Sequence, residues 1–347
     1  MHDYFFVPEL ARVALVVGVV VSMLFYERVQ LTTGGAIVPA YLALYLPAPL
    51  FLLTTLAAAF VTYLLVSVAL ARRKILYGRR KFEVEILVGL ACVVILNEVG
   101  IQFGKVDPLL LGLSGIGFLI PGVLAHDMFR QKPAKTLVAV VSTTAMLGIF
   151  LYVYNSLIAI SPVRLTSVGP PPLAPTAFPV ELMVYAVVLS VLIGMVVFAK
   201  FGIRSGGFIS GAYVALLSPR WLDLAFALVV AILTWLVVVH VLMPRLLLFG
   251  RRKLSTMVLV GAIIAWSCEL AVVAVTDGEY TPWQGFTIIM FMVPALLAND
   301  AQRQGPAKTL CGITLTALGV SAGMFLLMAA LTAAGIELAT ATTGRSR

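Results

Sequence analysis

The sequence predicts an all-α polytopic membrane protein made of two repeats that share one orientation in the membrane. Three observations support this fold class. Of the 347 residues, 61% are hydrophobic and only 11% are charged. Apolar runs of about twenty residues, long enough to cross the roughly 30 Å hydrocarbon layer as helices, recur along the chain. Sequence blocks from the first half return in the same order in the second half, which indicates a tandem duplication.

Three blocks carry the duplication, and one of them is Gly34-Gly35 with Tyr41, which reappears as Gly206-Gly207 with Tyr213. Residues 76–81 (LYGRRK) return as residues 248–253 (LFGRRK), 172 positions later. Residues 133–137 (PAKTL) return unchanged as residues 306–310, 173 positions later. The predicted domains are a first membrane repeat at 1–160, a proline-rich extracytoplasmic linker at 161–179 and a second membrane repeat at 180–347.

Each repeat is predicted to contain five to six membrane segments. In the first repeat the apolar segments are 8–26, 35–47, 50–71, 83–103, 108–125 and 135–158. In the second repeat they are 180–199, 207–218, 221–243, 255–274, 283–298 and 308–334. The second segment of each repeat is too short for a full span, and the fifth segment of the first repeat is expected to be broken around residues 115–117 and 121–122. Short or broken helices at matching places point to a functional centre, although glycine there also permits close helix packing.

The cations predict the orientation. If both Gly-Arg-Arg-Lys loops are cytoplasmic, the inner connections hold 18 of the 24 Lys and Arg residues, as the positive-inside rule requires. Both repeats then have the same orientation, and a pseudo-twofold axis runs along the membrane normal. We therefore expect a multi-pass protein of the bacterial plasma membrane. The net charge of +9 reflects this topology, and no nucleic-acid partner is expected.

A repeated polar block supplies the candidate polymer or substrate path. Asp127 and Arg130 precede the first PAKTL block, and Asp300 and Arg303 precede the second. One interpretation is an interfacial salt bridge in each repeat, because residues three apart share a helix face. The other is a ring of cations at the cytoplasmic mouth of a shared cavity, which would attract an anion. The ring would consist of Arg130, Lys135, Arg303 and Lys308.

Two further sets of residues are candidates. Glu98 and Glu269 lie within apolar segments, where an ionisable group marks a functional site unless it reaches water at the segment end. The basic loops are candidates for docking a cytosolic partner, although they could equally orient the chain or bind anionic lipid headgroups. The docking candidates are Tyr77, Arg79, Arg80, Lys81, Arg251, Arg252 and Lys253.

Motifs for independent catalysis are absent from the sequence. It contains no GxxxxGK[ST] loop for nucleotide phosphates, no HExxH, no GxSxG and no Cys/His cluster with metal-ligand spacing. We therefore expect no metal, no cofactor and no catalytic residues for an activity of the chain alone.

Three blocks resemble the PgsC/CapC family of poly-γ-glutamate biosynthesis membrane proteins. They are residues 75–82 (ILYGRRKF), 37–42 (IVPAYL) and 115–125 (GIGFLIPGVLA). The second repeat keeps weaker versions, with Phe249 for Tyr77 and Gly211 for Pro39. The chain therefore resembles two fused family members.

The resemblance implies a partner and a product. PgsC-like proteins act with a cytosolic ATP-dependent amide ligase (PgsB/CapB-like) and with other membrane-associated synthase subunits. The assembly polymerises glutamate and delivers the anionic polymer outside the cell. The resemblance thus implies that this chain anchors the ligase and provides a cation-lined path for a capsule polymer.

Two other hypotheses remain open from the sequence. The repeats and broken helices are equally typical of a self-sufficient secondary transporter for a small anion. A membrane-embedded transferase could use Asp127 or Asp300 as a base.

Overall fold

The computed structural model describes residues 8–72, 78–104, 117, 119–160, 175–283 and 287–334. These residues form α-helices and loops and contain no strand, so the predicted all-α class is confirmed. By contact density the chain divides into two compact units, Met1–Pro170 and Pro171–Arg347. The division falls inside the predicted linker, of which residues 161–174 lie outside the described part of the chain.

The described parts of both units contain six α-helices in the same order. The first unit contains α1 (Pro8–Val29), α2 (Val38–Leu44), α3 (Pro49–Tyr63), α4 (Gly78–Gly104), α5 (Ile120–Gln131) and α6 (Pro133–Ile160). The second unit contains α7 (Met183–Phe201), α8 (Ser210–Leu216), α9 (Trp221–Leu236), α10 (Gly250–Val275), α11 (Thr287–Gln304) and α12 (Pro306–Ala333). A short 3₁₀ turn, Val180–Leu182, precedes α7.

Seven helical segments are long and apolar enough to cross a membrane, judged by length and composition over the described residues. Three belong to the first unit: Leu10–Val29, Pro49–Leu70 and Pro133–Leu157. Four belong to the second: Met183–Phe201, Trp221–Leu242, Gly250–Val275 and Pro306–Ala333. By contrast, α2 and α8 have seven residues each, about 10 Å of helix, so neither crosses alone.

One helix in each unit, α3 in the first and α9 in the second, continues into a turn with a different hydrogen-bonding pattern. After α3 the chain continues as a π-helical turn, Leu64–Leu70, in which the Ala71 amide donates to the Val66 carbonyl at 3.0 Å. After α9 it continues as Val237–Leu242, in which the Met243 amide donates to the Val238 carbonyl at 2.8 Å. Both turns lie directly before the basic loop of their unit.

The central helix of each unit is the one that ends at the repeated polar block. In the first unit α5 packs against α3, α4 and α6. In the second unit α11 packs against α9, α10 and α12. The contact of α5 with α4 is close because a Cβ on Gly89 would lie 2.6 Å from the Gly122 backbone nitrogen. This fixes α5 firmly, and with it the polar side chains at its end.

The second unit has a polar latch at its opposite end. Arg220 Nε lies 3.1 Å from Asp223 Oδ2, the Tyr280 hydroxyl donates to Asp223 Oδ1, and Trp283 Nε1 donates to the Asp223 carbonyl at 2.9 Å. Burial, followed by the hydrogen bond and negative charge of Asp223, raises the pKa of Tyr280. The hydroxyl therefore stays protonated, and the loop before α11 stays attached to the first turn of α9.

Candidate functional site

At the end of α5, two side chains hold the loop between α1 and α2. Asp127 Oδ2 accepts a hydrogen bond from the Gly34 amide at 3.0 Å. Gln131 Oε1 accepts from the Thr32 amide at 2.8 Å, and its Nε2 donates to the Thr32 carbonyl at 2.6 Å. We call Asp127 and Gln131 the loop clamp of the first unit. It satisfies backbone groups that neither helix can pair.

The second unit contains the same clamp. Asp300 Oδ2 accepts from the Gly206 amide at 3.1 Å. Gln304 Oε1 accepts from the Arg204 amide, and its Nε2 donates to the Arg204 carbonyl, both at 2.8 Å. Asp300 and Gln304 thus form the loop clamp of the second unit. Both glutamines also donate to the threonine five residues later, Thr136 at 3.0 Å and Thr309 at 3.1 Å.

The clamped loops require glycine. Gly34 has φ of 79° and Gly206 has φ of 75°, a region that L side chains rarely adopt. A Cβ on Gly34 would lie 2.4 Å from Leu124 Cδ2, and one on Gly206 would lie 2.5 Å from Leu297 Cδ2. The repeated Gly-Gly pairs therefore permit the loop to approach α5 and α11 closely.

The predicted cations lie beside the clamps. Arg130 and Arg303 are in the last turn of α5 and α11, Lys135 and Lys308 are in the first turn of α6 and α12, and all four are exposed. The aspartates are used differently from the simple i, i+3 pairing considered from sequence. Asp127 and Asp300 are 2% and 7% exposed and bind loop amides, and Asp300 Oδ1 also lies 4.0 Å from Arg204 Nη1.

A second group of polar residues lies on α4 and α5 of the first unit. His126 Nδ1 is 2.6 Å from Glu85 Oε2, and Lys81 Nζ is 3.8 Å from Glu85 Oε1. The Glu85 side chain is fully buried, Lys81 Nζ lies over the Phe129 ring, and the His126 ring packs edge-on against Phe82. We call Lys81, Glu85 and His126 the charged cluster. Burying a carboxyl group is costly unless polar or charged partners such as these surround it.

The second unit has a different group at these positions. Lys253 is retained and donates to Gln302 Oε1 at 2.5 Å. Met257 occupies the position of Glu85, and Asn299 occupies that of His126. The second unit therefore keeps the buried lysine and replaces the titratable pair.

The docking candidates have different environments. Arg80 and Arg252 are exposed, and Arg251 is half-buried. Lys81 and Lys253 are 3% and 9% exposed, so their ammonium groups serve contacts within their own unit. Tyr77 and the side chain of Arg79 lie outside the described residues.

The remaining pair of candidates is not equivalent. Glu98 on α4 is exposed, whereas Glu269 on α10 is 4% exposed. Both lie far along their helices from the clamps, so the structure does not bring them to the other candidates.

Four residues of the clamps and the charged cluster were not among the candidates predicted from the sequence: Gln131, Gln304, Glu85 and His126. Gln131 and Gln304 belong to the repeated block, but their loop partners are 99 and 100 residues away. Glu85 carries a local signal, since it follows Lys81 by four residues on one helix face. Across the described residues, no group of three or more His, Cys, Asp or Glu side chains could hold a metal ion.

Two units of apolar helices, each with a polar clamp at one end, define a multi-pass helical membrane protein. The sequence profile of the family described as Capsule biosynthesis CapC matches this chain twice, at residues 17–137 and 189–310. The matches together cover more than half of the chain, which therefore belongs to the CapC family. The relationship predicted from the sequence blocks is confirmed.

Two relatives are similar to part of the chain. The Capsule biosynthesis protein CapC of Bacillus anthracis is 35% identical over 136 residues, which is 39% of this chain and 87% of the relative. The PGA biosynthesis protein CapC of Bacillus subtilis (strain 168) is 32% identical over 123 residues, 34% of this chain and 78% of the relative. Each alignment thus spans most of the relative but little more than a third of this chain. No solved structure matches the chain.

Proposed function

We propose that the chain is a membrane subunit of a complex that synthesises and exports an anionic, amide-linked polymer such as poly-γ-glutamate. The single observation that carries the proposal is the CapC match in both halves of the chain. It is supported by relatives whose names assign them to capsule and PGA biosynthesis.

In this proposal the ends bearing the Gly-Arg-Arg-Lys sequences face the cytoplasm of a bacterial cell and dock an ATP-dependent amide ligase. Two features support this assignment. Gly78 and Gly250, with φ of 61° and 57°, begin α4 and α10, and the exposed Arg80 and Arg252 lie in the first turn of these helices. An arginine guanidinium binds carboxylates in bidentate geometry, so exposed arginines at these helix starts suit an acidic surface of a partner.

The exposed cations beside the clamps would guide the polymer. Arg130, Lys135, Arg303 and Lys308 place positive charge at the same end of each unit as the docking residues. Such charge concentrates a polyanion by long-range attraction. The clamps support this role because they fix the ends of α5 and α11, which carry Arg130 and Arg303, next to Lys135 and Lys308 at the starts of α6 and α12.

The test is a pull-down of the tagged chain from native membranes in mild detergent, followed by an assay of ATP-dependent incorporation of labelled glutamate. We expect a co-eluting ligase with polymerising activity, lost in the variant Arg80→Gln/Arg252→Gln. The matched control is Arg28→Gln/Lys200→Gln, which removes two exposed cations at the ends of α1 and α7 and should retain the ligase. A chain that elutes alone, and that takes up a small anion into liposomes, would instead indicate the secondary transporter.

A further inference from the structure

The charged cluster of the first unit contains an imidazole held by a carboxylate. Glu85 is fully buried, and its Oε2 lies 2.6 Å from His126 Nδ1. The His126 side chain is 25% exposed, and its second nitrogen, Nε2, has no hydrogen-bond partner among the described residues. A carboxylate on Nδ1 fixes the tautomer and orientation of the ring and leaves Nε2 to accept a proton.

Several charged and titratable groups surround the Glu85–His126 pair. The titratable and charged groups at this end of the helices packed on α5 are Tyr63 on α3, Arg80, Lys81, Glu83 and Glu85 on α4, and Lys135 on α6. Asp127 and Arg130 are the charged neighbours on α5 itself. Lys81 Nζ lies 3.8 Å from Glu85 Oε1, so the buried carboxylate faces the lysine on one oxygen and the imidazole on the other.

The fold does not require the pair. In the second unit Met257 and Asn299 replace Glu85 and His126, while the clamp and the buried lysine are retained. Gln302, in the place of Phe129, then accepts from the lysine, so the contact of α5 with α4 can be made without a titratable pair, and we infer that the pair has a further role.

We propose that His126, oriented by Glu85, is the general base for amide bond formation in the complex. This inference rests on the proposed function. The amine nitrogen of the incoming amino acid attacks the carbonyl carbon of an acyl phosphate, which the ligase makes from a carboxylate and ATP. The N–C bond forms, the C–O bond to phosphate breaks with its electron pair leaving on phosphate, and the nitrogen's proton passes to His126 Nε2. The imidazolium then releases the proton to water.

A role as general base for the amine explains the charged cluster better than a role in proton-driven export. A membrane potential that is negative inside already drives an anion outward. Export of a polyanion therefore needs no coupled proton. Amide formation, by contrast, requires removal of a proton from nitrogen, because only the unprotonated amine is nucleophilic. The cluster also begins at Lys81, directly after the exposed Arg80 where the ligase would dock.

The experiment uses the purified complex with its ligase and compares wild type with His126→Asn, which installs the residue of the second unit. Extension with glutamate is measured against pH, and hydroxamate formation is measured with hydroxylamine, a nucleophile that needs no base at neutral pH. We expect the extension rate to fall about 100-fold or more and to lose its rise with pH near neutrality, where an imidazole titrates. Hydroxamate formation and ligase co-elution should be unchanged. Glu85→Gln, which removes the orienting charge, should reduce extension by about tenfold.

Different results would overturn different proposals. If His126→Asn extends polymer at the wild-type rate and pH dependence, His126 is not the base. If it loses hydroxamate formation or the ligase as well, the residue acts in docking or activation, and the general-base inference is wrong. If the wild-type complex itself shows no ATP-dependent extension, the proposed function fails.

Discussion

The loop clamp consists of the same two residue types in both units, whereas the charged cluster is complete only in the first. Asp127 and Gln131 hold loop amides and carbonyls at distances that Asp300 and Gln304 reproduce within about 0.2 Å. Glu85 and His126, by contrast, are replaced by Met257 and Asn299. Comparing the two units thus distinguishes the residues that the fold requires from those that can be replaced. The loop clamp therefore has a structural role in both units. The charged cluster, in our proposal, has a catalytic role in the first unit only.

The largest expected effect comes from the clamped glycines. Gly34→Ala and Gly206→Ala should each destabilise the protein by roughly 2–4 kcal/mol, because strained backbone and a clash with Leu124 or Leu297 add. Thermal unfolding in detergent measures this. Gly278→Ala is the matched control, since Gly278 also has positive φ, 82°, but has no atom within 4 Å of the added Cβ. Equal losses in all three variants would show that the tight contact of loop and helix contributes nothing.

The clamp side chains should have the next largest effect, and it should be the same in both units. Asp127→Ala and Asp300→Ala each leave a loop amide unsatisfied, which costs about 1–3 kcal/mol. Asp127→Asn and Asp300→Asn keep an acceptor oxygen and should recover part of this loss. The measurement is again thermal unfolding in detergent. A large loss in one unit and none in the other would break the comparison drawn above.

Each clamp glutamine makes two hydrogen bonds with the backbone of one loop residue, one as acceptor and one as donor. A substitution can remove one of them and keep the other. Gln131→Glu keeps an acceptor for the Thr32 amide but removes the donor to the Thr32 carbonyl and to Thr136. We expect a loss of about 1–2 kcal/mol, with Gln304→Glu giving a similar value. Unfolding of both variants alongside Lys132→Gln, an exposed neighbour, would show whether the bidentate bond accounts for the loss.

Transplanting the second unit's residues into the first should change stability little. The variant Glu85→Met/His126→Asn/Phe129→Gln reproduces the set around Lys253, in which Gln302 accepts from the lysine. Replacing a buried charged pair by a well-packed apolar group is often neutral, so we expect a change under about 1 kcal/mol, together with loss of polymer extension. Unfolding and activity measured on one preparation separate the two effects. A strongly destabilised protein would contradict the division into architecture and chemistry.

The smallest effect on stability is expected at the exposed cations. Arg130→Gln/Lys135→Gln and Arg303→Gln/Lys308→Gln should change the unfolding free energy by less than about 0.5 kcal/mol. Each should weaken binding of a poly-γ-glutamate oligomer at low salt and leave binding at high salt unchanged, because exposed charges are screened. Titrations of the oligomer at two salt concentrations test this. Binding that is independent of both charge and salt would remove the proposed polymer path.

Part of this arrangement could be predicted from the sequence, and physical reasons explain the rest. The helical class, the short α2 and α8 and the repeated polar block follow from local patterns of hydropathy, glycine and charge. The clamp bonds join residues about a hundred positions apart, so the spacing of Asp127 and Gln131 alone cannot show what they bind. The burial of Lys81 and Lys253 was unexpected because a lysine next to two arginines is typical of an exposed loop. Phe129 and Gln302, in the last turn of α5 and α11, provide their partners.

The π-helical turns after α3 and α9 bear on the evolutionary origin of the two units. A π turn arises when one residue is inserted into an α-helix, and it is rare. Its occurrence at matching places, Leu64–Leu70 and Val237–Leu242, is what duplication of a single unit that already contained the turn would produce. Single-unit relatives such as those of Bacillus should therefore carry the same turn before their basic loop, whatever they carry at the cluster.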